Sequence, residues 1–277
     1  RSVILSTNEL FGVQSILMKG EGLTGMYYDY AMAAPLMTGK DDPAECNTLI
    51  LGMGTGTYAH QCRAYFGDMP VEGVEIDEKI TDLARTYFEL PEDVSVTTYD
   101  GRAYLNAIDG KYDVIMVDAY QDITIPFQMS SVEFFTLVKE HLTKDGVMVV
   151  NMNMRGSGED SINAYLSDTI GSVFGEVYTV DVKGSTNREL FASDNPQMIE
   201  NLQKHKETVA DESLLVMMDT VSENLLPYEA GNRIMTDDKA PVELLGMRVI
   251  DELIRNEVAY YKTVYEEQGI QGVINAL

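Results

Sequence analysis

The chain has 277 residues, of which 45% are hydrophobic, and a formal net charge of -25. This length and apolar fraction predict a folded globular protein with a sizeable core. The negative charge argues against nucleic acid or an anionic membrane as a partner, because binding to phosphates needs clustered Lys and Arg. A cationic small molecule suits such a field, although acidity that only keeps the protein soluble is the plainer interpretation.

The sequence lacks a run of about 18 apolar residues that would predict a membrane span, and its N-terminus lacks a charged-then-apolar signal pattern. Cys46 and Cys62 have no spacing typical of metal ligands or a redox pair, and the three histidines add none. We therefore expect a cytoplasmic protein without a structural metal. Because the chain begins at Arg1 rather than Met, an upstream membrane segment remains an open expectation.

The first predicted elements are two short strands, Ser2–Ser6 and Val13–Leu17, joined by the loop Thr7–Gly12. A helix is predicted over Tyr27–Leu36. Residues 1–36 are accordingly interpreted as an N-terminal β-hairpin with an entry helix.

From about Asn47 to Ser193, short apolar runs alternate with helical stretches, which predicts a mostly parallel sheet covered by helices on both faces. The predicted strands are Thr48–Leu51, Pro70–Glu75, Val94–Tyr99, Tyr112–Val117, Gly146–Asn151, Val177–Val182 and Glu189–Ala192. The predicted helices between them are Thr57–Phe66, Lys79–Phe88, Gly101–Ala107, Val132–Leu142 and Asp160–Phe174.

The last two strands are joined only by Lys183–Arg188, which is too short for a helical crossover and predicts an antiparallel hairpin. Seven strands that end in such a hairpin are typical of an α/β, Rossmann-like sheet of the class I methyltransferase type. Helices are predicted to follow at Gln197–His205, Ala210–Leu225 and Val242–Ile270. This divides the chain into the N-terminal unit, a core at 37–205 and a helical cover at 206–277.

A glycine loop follows the first core strand and places Gly52, Gly54 and Gly56 at alternate positions. Glycine is needed where the backbone turns sharply and approaches a ligand. Glu75 ends the next strand, and an acid at that point accepts hydrogen bonds from both hydroxyls of a ribose. The alternative for Glu75 is a solvated strand end.

A nicotinamide dinucleotide is disfavoured because the third glycine of its fingerprint would fall at Thr57, one residue after Gly56. The tighter pattern and the closing hairpin favour an adenosyl-sulfonium ligand. Asp100 and Gly101 follow the third core strand, where a carboxylate accepts from the exocyclic amine of adenine. Asp100 is also a candidate N-cap for the next helix, and the two roles are compatible.

The run IMVDAYQDITIPF breaks at Asp118, directly after a strand that is almost wholly apolar. Such a strand is buried on both faces and ends at the carboxyl edge of the parallel sheet, where these folds bind ligands. Asp118 is therefore a candidate site residue.

These segments together resemble a known family. GMGTGT, VEID, YDGRAYL, YDVIMVDAY and VEFFTLVKEHLTKDGVMVVN, in this order, are similar to the spermidine synthase family of polyamine aminopropyltransferases, especially its bacterial spermidine synthase-like domains that are often fused to membrane segments. LTGMYYDYAMAAPLM and MTDDKAPVELL resemble flanking motifs of that subgroup. The resemblance covers roughly residues 3 to 250.

The resemblance implies that the three loop glycines line a nucleoside pocket, that Glu75 holds the ribose, and that Asp100 with Gly101 faces the adenine. Asp118 falls at the family's catalytic aspartate, which receives or orients a proton from the attacking amine. The neutral nitrogen then displaces the sulfonium leaving group.

Tyr27, Tyr28 and Asp29 fall where the family lines its amine pocket. The chain departs from the family at Thr55, where the family has an aspartate associated with the amine end of decarboxylated S-adenosylmethionine. It departs again at Gln121, where the family has a second acid, and Asp122 replaces that acid if the loop is shifted by one residue. Gln121 and Asp122 are therefore predicted to bind substrate, and ordinary S-adenosylmethionine stays open as the ligand.

The leading hypothesis is aminopropyl transfer from decarboxylated S-adenosylmethionine to a small cationic amine such as putrescine. One alternative is an S-adenosylmethionine-dependent methyltransferase with an unknown acceptor. Another is a non-catalytic nucleoside-binding domain of a larger membrane-attached protein. Because the family commonly forms dimers, the resemblance also implies a homodimer.

Overall fold

The computed structural model describes residues 2–6, 14–20, 22–120, 125–152 and 161–276. The strands in these ranges are β1 Ser2–Leu5, β2 Ser15–Met18, β3 Thr48–Leu51, β4 Val71–Glu75, β5 Ser95–Thr98, β6 Tyr112–Val117, β7 Leu142–Met152, β8 Glu176–Asp181, β9 Arg188–Ser193 and β10 Leu226–Pro227. The α-helices are α1 Tyr27–Ala31, α2 Ala33–Met37, α3 Thr57–Phe66, α4 Glu78–Tyr87, α5 Gly101–Ala107, α6 Val132–Glu140, α7 Ile162–Gly171, α8 Met198–Lys206, α9 Glu212–Asn224 and α10 Val242–Ala276.

The main sheet has the strand order β10-β8-β9-β7-β6-β3-β4-β5. Strands β3 to β7 are mutually parallel, whereas β9 is antiparallel to β7 and to β8. This confirms the predicted α/β sheet of the methyltransferase type and its closing hairpin.

The number of strands differs from the prediction. Leu226 and Pro227 form β10, an eighth strand antiparallel to β8 at the edge of the sheet. Proline has no N–H to donate and is tolerated at a sheet edge. A strand of only two residues, directly after a helix, has no periodicity, so a sequence pattern does not predict it.

The centre of the sheet is dry on both faces. All residues of β3 and β6 are buried, as expected for parallel strands that are covered by helices on both sides. One apolar cluster joins the sheet to α1, α2, α3, α8 and α9, and a second joins it to α5, α6, α7 and the start of α10. The two clusters hold the carboxyl ends of the parallel strands at one edge.

The predicted entry helix is divided into α1 and α2 at Met32. Pro35 lies in α2 and lacks the N–H that would bond to the carbonyl oxygen of Ala31 in a continuous helix. That oxygen instead accepts a hydrogen bond of 3.1 Å from the hydroxyl of Tyr58 on α3. A side chain that is distant in sequence therefore satisfies the group that Pro35 leaves unpaired.

The N-terminal hairpin pairs β1 with β2, as predicted, and most of its connecting loop lies outside the described residues. At the other end, α10 is longer than predicted and contains one non-helical residue, Gly269, with φ of 68°. In the described part of the chain, none of the helices has the length and apolar character needed to span a bilayer. The division into three units at 36 and 205 stays a prediction.

Candidate active site

Five residues form a row across the carboxyl edge of the main sheet. The strand register places Gly52, which follows β3, between Glu75, the last residue of β4, and Asp118, which follows β6. Asp118 in turn lies beside Asn151, near the end of β7, and Asn151 is paired with Glu189 on β9. In sheet order the row is Glu75, Gly52, Asp118, Asn151 and Glu189. Three carboxyl groups therefore lie along one edge, where folds of this kind bind ligands.

The glycine loop takes the conformation that glycine permits. Gly52, Gly54 and Gly56 have φ of 87°, 55° and 88°, all in the left-handed region. A Cβ atom on Gly52 would lie 2.5 Å from the carbonyl oxygen of Asp118. The loop thus brings its backbone against the residue that follows β6, and its predicted contact with a ligand stays a prediction.

Glu75 is only 6% exposed, which excludes the solvated strand end as its explanation. Its carboxylate accepts hydrogen bonds from the backbone N–H of Gly54, at 2.8 Å, and of Asp77, at 3.1 Å. The acid therefore connects the end of β4 to the glycine loop.

Asp100 is the N-cap of α5, as one of its two predicted roles required. Its Oδ1 accepts a hydrogen bond of 2.8 Å from the backbone N–H of Ala103. Gly101 begins the helix, and a Cβ there would lie 3.4 Å from the terminal methyl group of Met129.

Asp118 accepts hydrogen bonds at both carboxylate oxygens. The hydroxyl of Tyr27 donates to Oδ2 at 2.6 Å, and the side-chain amide of Asn151 donates to Oδ1 at 2.9 Å. Burial raises the pKa of Asp118 to about 7, and the negative charge of Glu75 adds to the effect, while the two hydrogen bonds oppose it. The group is thus a carboxyl that gains or loses a proton near neutral pH.

Tyr27 and Tyr28 are both buried, and their ring centroids lie 4.0 Å apart. Burial and the charge of Asp118 raise the pKa of Tyr27 well above its ordinary value, so its hydroxyl remains a donor. The hydroxyl of Tyr28 donates instead to the backbone carbonyl of Gln14, at 2.9 Å. Of the two tyrosines, only Tyr27 contacts Asp118 by a hydrogen bond in the described structure.

Asp29 is fully buried. Its carboxylate accepts hydrogen bonds from the backbone N–H and the hydroxyl of Thr24, at 2.9 and 2.7 Å, and from the N–H of Gly25, at 2.6 Å. It therefore stabilises the turn before α1, and its predicted place in an amine pocket stays a prediction. Gln121 and Asp122 lie outside the described residues.

Three residues of this region were not predicted as site residues. Asn151 directly follows the apolar run VMVV, and a polar residue at a strand end was a usable signal. Glu189 interrupts the buried face of a hairpin strand, which was a second signal. Ser15 had none: its hydroxyl accepts a hydrogen bond of 3.2 Å from the backbone N–H of Thr55, which joins β2 to the glycine loop.

Among the described residues, no group of three His, Cys, Asp or Glu side chains is arranged to hold a metal ion. Cys46 and Cys62 are buried and free.

The strand order, the glycine loop and the acid row define a Rossmann-like protein of the methyltransferase-type class. Residues 26–180 match the model of the spermine/spermidine synthase domain. The chain is 53% identical, over 291 aligned positions that cover 99% of it, to a probable polyamine aminopropyl transferase from Bifidobacterium longum. The chain therefore belongs to the spermine/spermidine synthase family, and it spans 64% of the length of that relative.

Solved structures show the same fold at low sequence identity. The chain resembles spermidine synthase from Thermotoga maritima with a TM-score of 0.57 and 18% identity, over 72% of this chain and 69% of the other. It also resembles human methyltransferase-like protein 13 in complex with SAH, with a TM-score of 0.54 and 22% identity, over 74% of this chain and 96% of the other. The same fold therefore occurs in a spermidine synthase and in a methyltransferase-like protein.

Proposed function

We propose that the protein is an aminopropyltransferase that moves the aminopropyl group of decarboxylated S-adenosylmethionine to a small amine such as putrescine. The observation that carries the proposal is the carboxyl of Asp118, held by Tyr27 and Asn151 at the edge of the sheet with a pKa of about 7. The name of the Bifidobacterium longum relative supports the same reaction.

The reaction needs a base at this position. An amine is protonated at neutral pH and then has no lone pair, so a proton must leave before the nitrogen can attack. In the proposed step the ionised carboxylate of Asp118 accepts that proton. The nitrogen lone pair forms a bond to the propyl carbon, the carbon–sulfur bond breaks, and methylthioadenosine leaves with the electron pair on sulfur.

The nucleoside is proposed to lie along the glycine loop, with its ribose hydroxyls at Glu75. Glu75 is fixed by two backbone N–H groups, so its orientation is set before a ligand binds. The adenine is proposed to lie near Asp100 and Gly101. Two large apolar side chains follow β4 and β5 and are 71% and 52% exposed, and they suit the faces of a purine ring: Ile76 and Tyr99.

The amine is proposed to enter beside Tyr27 and Tyr28, with Asp29, Gln121 and Asp122 as further candidate contacts. Tyr27 supports this role because its hydroxyl reaches Asp118, and the two adjacent rings, tilted at 33° to each other, provide an apolar wall for a methylene chain. We also propose a homodimer, which sedimentation of the protein would test, and membrane attachment through an upstream segment, which fractionation of the protein as its source cell expresses it would test.

A methyltransferase is the second candidate, and Thr55 favours it. Its hydroxyl is buried and has no hydrogen-bond partner among the described residues, at a position where the resemblance implies an acid for the decarboxylated donor. A neutral hydroxyl donor suits the carboxylate that ordinary S-adenosylmethionine retains.

Calorimetry separates the candidates. The protein is titrated with S-adenosylmethionine, with its decarboxylated form and with methylthioadenosine, and methylthioadenosine release is then followed in the presence of putrescine. Preference for the decarboxylated form together with turnover supports the proposal. Preference for S-adenosylmethionine that Thr55→Asp abolishes supports the methyltransferase. If the protein binds none of the three nucleosides, a non-catalytic domain is the remaining candidate.

A further inference from the structure

The side-chain amide of Asn151 is held at both ends. Its Nδ2 donates to Oδ1 of Asp118 at 2.9 Å, and its Oδ1 accepts a hydrogen bond of 2.8 Å from Nδ2 of Asn187. Asn151 is only 3% exposed, so water does not readily replace either partner. An amide nitrogen only donates and an amide oxygen only accepts, so the groups that an amide faces set its orientation. The N–H of Asn187 therefore determines that Asn151 presents its nitrogen, rather than its oxygen, to Asp118.

The side-chain amide of Asn187 is oriented in the same way. The hydroxyl of Ser185 donates to Oδ1 of Asn187 at 2.5 Å, and the same hydroxyl oxygen accepts from the backbone N–H of Asn187 at 3.1 Å. Because its oxygen is bound to the serine, Asn187 directs its Nδ2 at Asn151. Three hydrogen bonds thus run in one direction, from the hydroxyl of Ser185 through the two amides to the carboxylate of Asp118.

Ser185 and Asn187 belong to the turn that joins β8 to β9, and this turn is fixed by its backbone. The N–H of Val182 donates to the carbonyl of Asn187 at 3.0 Å, and the N–H of Ser185 donates to the carbonyl of Val182 at 3.2 Å. The N–H of Lys183 donates to the hydroxyl of Tyr30 on α1 at 3.1 Å. Helix α1 therefore holds this turn as well as the tyrosine that donates to the proposed base.

The direction of the chain of hydrogen bonds favours the ionised form of Asp118. A carboxylate only accepts hydrogen bonds, whereas a neutral carboxyl also donates one. An N–H of Asn151 stabilises the negative charge, while its oxygen in the same place would repel that charge and favour the neutral form. Burial raises the pKa of Asp118, and the donor that Asn151 presents counteracts this rise.

The titratable groups that face Asp118 come from three elements: Glu75 of β4, Tyr27 and Tyr28 of α1, and Glu189 of β9. None of these groups is a cation. Arg188, the first residue of β9, is paired with Asp181 at 2.6 Å across the hairpin. Burial raises the pKa of Asp118, and the hydrogen bonds from Tyr27 and Asn151 are the contacts that lower it. The orientation of Asn151 therefore has a direct effect on the charge of the carboxyl.

We propose that Asn187 is a positioning residue, which keeps an N–H of Asn151 directed at Asp118 and so keeps the base ready to accept a proton. The inference rests on the proposed function in one respect, that Asp118 is the base. It goes beyond that function because it gives the turn between β8 and β9 a role in setting the pH range of the reaction.

Asn187→Asp reverses the chain of hydrogen bonds with almost no change in shape. The new carboxylate still accepts from Ser185, but it also accepts at Asn151, whose amide is then expected to turn its oxygen toward Asp118. The rising limb of kcat/KM for the amine is expected to move to higher pH by about one pH unit or more. Affinity for methylthioadenosine, measured by calorimetry, should stay within a few fold.

Two further variants grade the effect. Asn187→Leu removes the donor without imposing the reversed orientation, so its rising limb is expected to move in the same direction by less. Asn187→Gln keeps an amide N–H and is expected to lie nearer the wild type than Asn187→Leu. An equal fall of kcat/KM at every pH in all three variants would indicate a purely structural residue and would overturn the inference.

Thr186→Asp is the matched control for charge. It adds the same carboxylate to the adjacent, exposed residue, and because an exposed charge is screened it is expected to move the limb by less than about 0.3 pH unit. In an Asn151→Ala background, Asn187→Asp is expected to cause no further shift, because the chain of hydrogen bonds is already broken. A further shift there would mean that the new charge acts directly on Asp118, and the inference would fail.

A direct titration of Asp118 distinguishes failure of the inference from failure of the proposed function. The NMR signal of its carboxyl carbon, assigned by comparison with Asp118→Asn, is followed against pH in the free protein. A titration that moves to higher pH in Asn187→Asp, in a protein without aminopropyl transfer, would preserve the inference and refute the aminopropyltransferase. Transfer by the wild type, with the same titration in both proteins, would preserve the function and refute the role of Asn187.

Discussion

The hydroxyl of Tyr27 and the carboxylate of Asp118 are joined by a hydrogen bond of 2.6 Å that connects α1 to the end of β6. The two residues are 91 positions apart in the chain. Since Tyr27 is buried and its pKa is raised, its hydroxyl keeps its proton and donates a hydrogen bond to the charged carboxylate of Asp118. The helix before the core thereby sets the orientation of the proposed base.

Replacing Asp118 by Asn is expected to lower kcat for aminopropyl transfer by about 10² to 10⁴-fold, the usual range for loss of a general base. The amide has nearly the same shape but accepts no proton. Affinity for methylthioadenosine, measured by calorimetry, should stay within a few fold. Asp113→Asn makes the same chemical change in β6, on a residue whose carboxylate accepts from the N–H of Asn47 at 3.0 Å, and should retain activity.

The same substitution is expected to stabilise the protein in alkaline solution. The folded pKa of Asp118, about 7, lies above the ordinary value of 3.8, so ionisation in the folded state is unfavourable. The stability that the neutral carboxyl contributes is therefore lost as the pH rises through 7. Thermal unfolding should give a melting temperature that is higher in Asp118→Asn than in the wild type by more at pH 8.5 than at pH 6. A difference in melting temperature that is independent of pH would contradict the raised pKa.

Activity should follow the same ionisation in the opposite direction. Only the charged carboxylate of Asp118 accepts a proton, so kcat/KM for the amine is expected to rise about tenfold per pH unit below pH 7 and to level off above it. Tyr27→Phe removes a hydrogen bond that lowers the pKa of Asp118, and should move this rising limb to higher pH. The measurement is a pH profile from 5 to 9.

Tyr28→Phe serves as the control for that profile. It removes the same atom from the adjacent ring, but the hydroxyl of Tyr28 donates to the carbonyl of Gln14 and not to Asp118. The rising limb of kcat/KM in the Tyr28→Phe variant is expected to lie at nearly the same pH as in the wild type. An equal shift in both variants would mean that loss of packing, rather than loss of the hydrogen bond, moves the pKa.

The central sheet was predictable from the sequence because its strands carry local signals. Thr48–Leu51 and Tyr112–Val117 are near-continuous apolar runs bounded by polar residues, and the structure has these strands with the predicted bounds. Gly52 and Asp118 were recognisable for the same reason, since each directly follows such a run. A local pattern is sufficient to predict these two residues, because the position of each in the fold depends only on where one strand ends.

Pairs of residues that are distant in sequence were not predictable. The hydrogen bond that satisfies the carbonyl oxygen of Ala31 comes from the hydroxyl of Tyr58, and it forms only after α3 packs against α1. The juxtaposition of Asn151 with Glu189 depends on the register of an antiparallel pair, which a one-residue slip would reverse. The acid row therefore became visible only in three dimensions.

Replacing Gly52 by Ala is expected to abolish nucleoside binding and to destabilise the protein. The new methyl group would lie 2.5 Å from the carbonyl oxygen of Asp118. The oxygen is a backbone atom and the methyl group is attached directly to the backbone, so neither can move away without a shift of the chain. Gly67→Ala places a methyl group at a similar φ, 77°, with no atom within 4 Å, so it isolates the strain of the left-handed conformation. If the two variants bind methylthioadenosine equally well, close approach at Gly52 is unimportant.

Asp168 offers a test of stability that is independent of the site. Its buried carboxylate accepts hydrogen bonds from the hydroxyl of Tyr228, the N–H of Gly231, and the N–H and Nε of Arg233, at 2.6 to 3.0 Å, and so fixes the segment between β10 and α10 to α7. Asp168→Ala removes the acceptor of all four hydrogen bonds and is expected to lower the free energy of unfolding by about 2–5 kcal/mol, as measured in urea at pH 7.

The pH dependence of this loss identifies its cause. Burial alone would raise the pKa of Asp168, but the hydrogen bonds from Tyr228 and Arg233 outweigh it and hold the pKa below 3.8. The stability that the ionised carboxylate of Asp168 contributes is therefore present at neutral pH and lost as the pH falls through the depressed folded pKa. The difference in the free energy of unfolding between wild type and Asp168→Ala should narrow toward pH 3. Asp219→Ala breaks the ion pair with Lys206 at the surface and should change stability by less than about 1 kcal/mol. Calorimetry should find nucleoside affinity unchanged in both variants below their melting temperatures, because neither side chain belongs to the acid row.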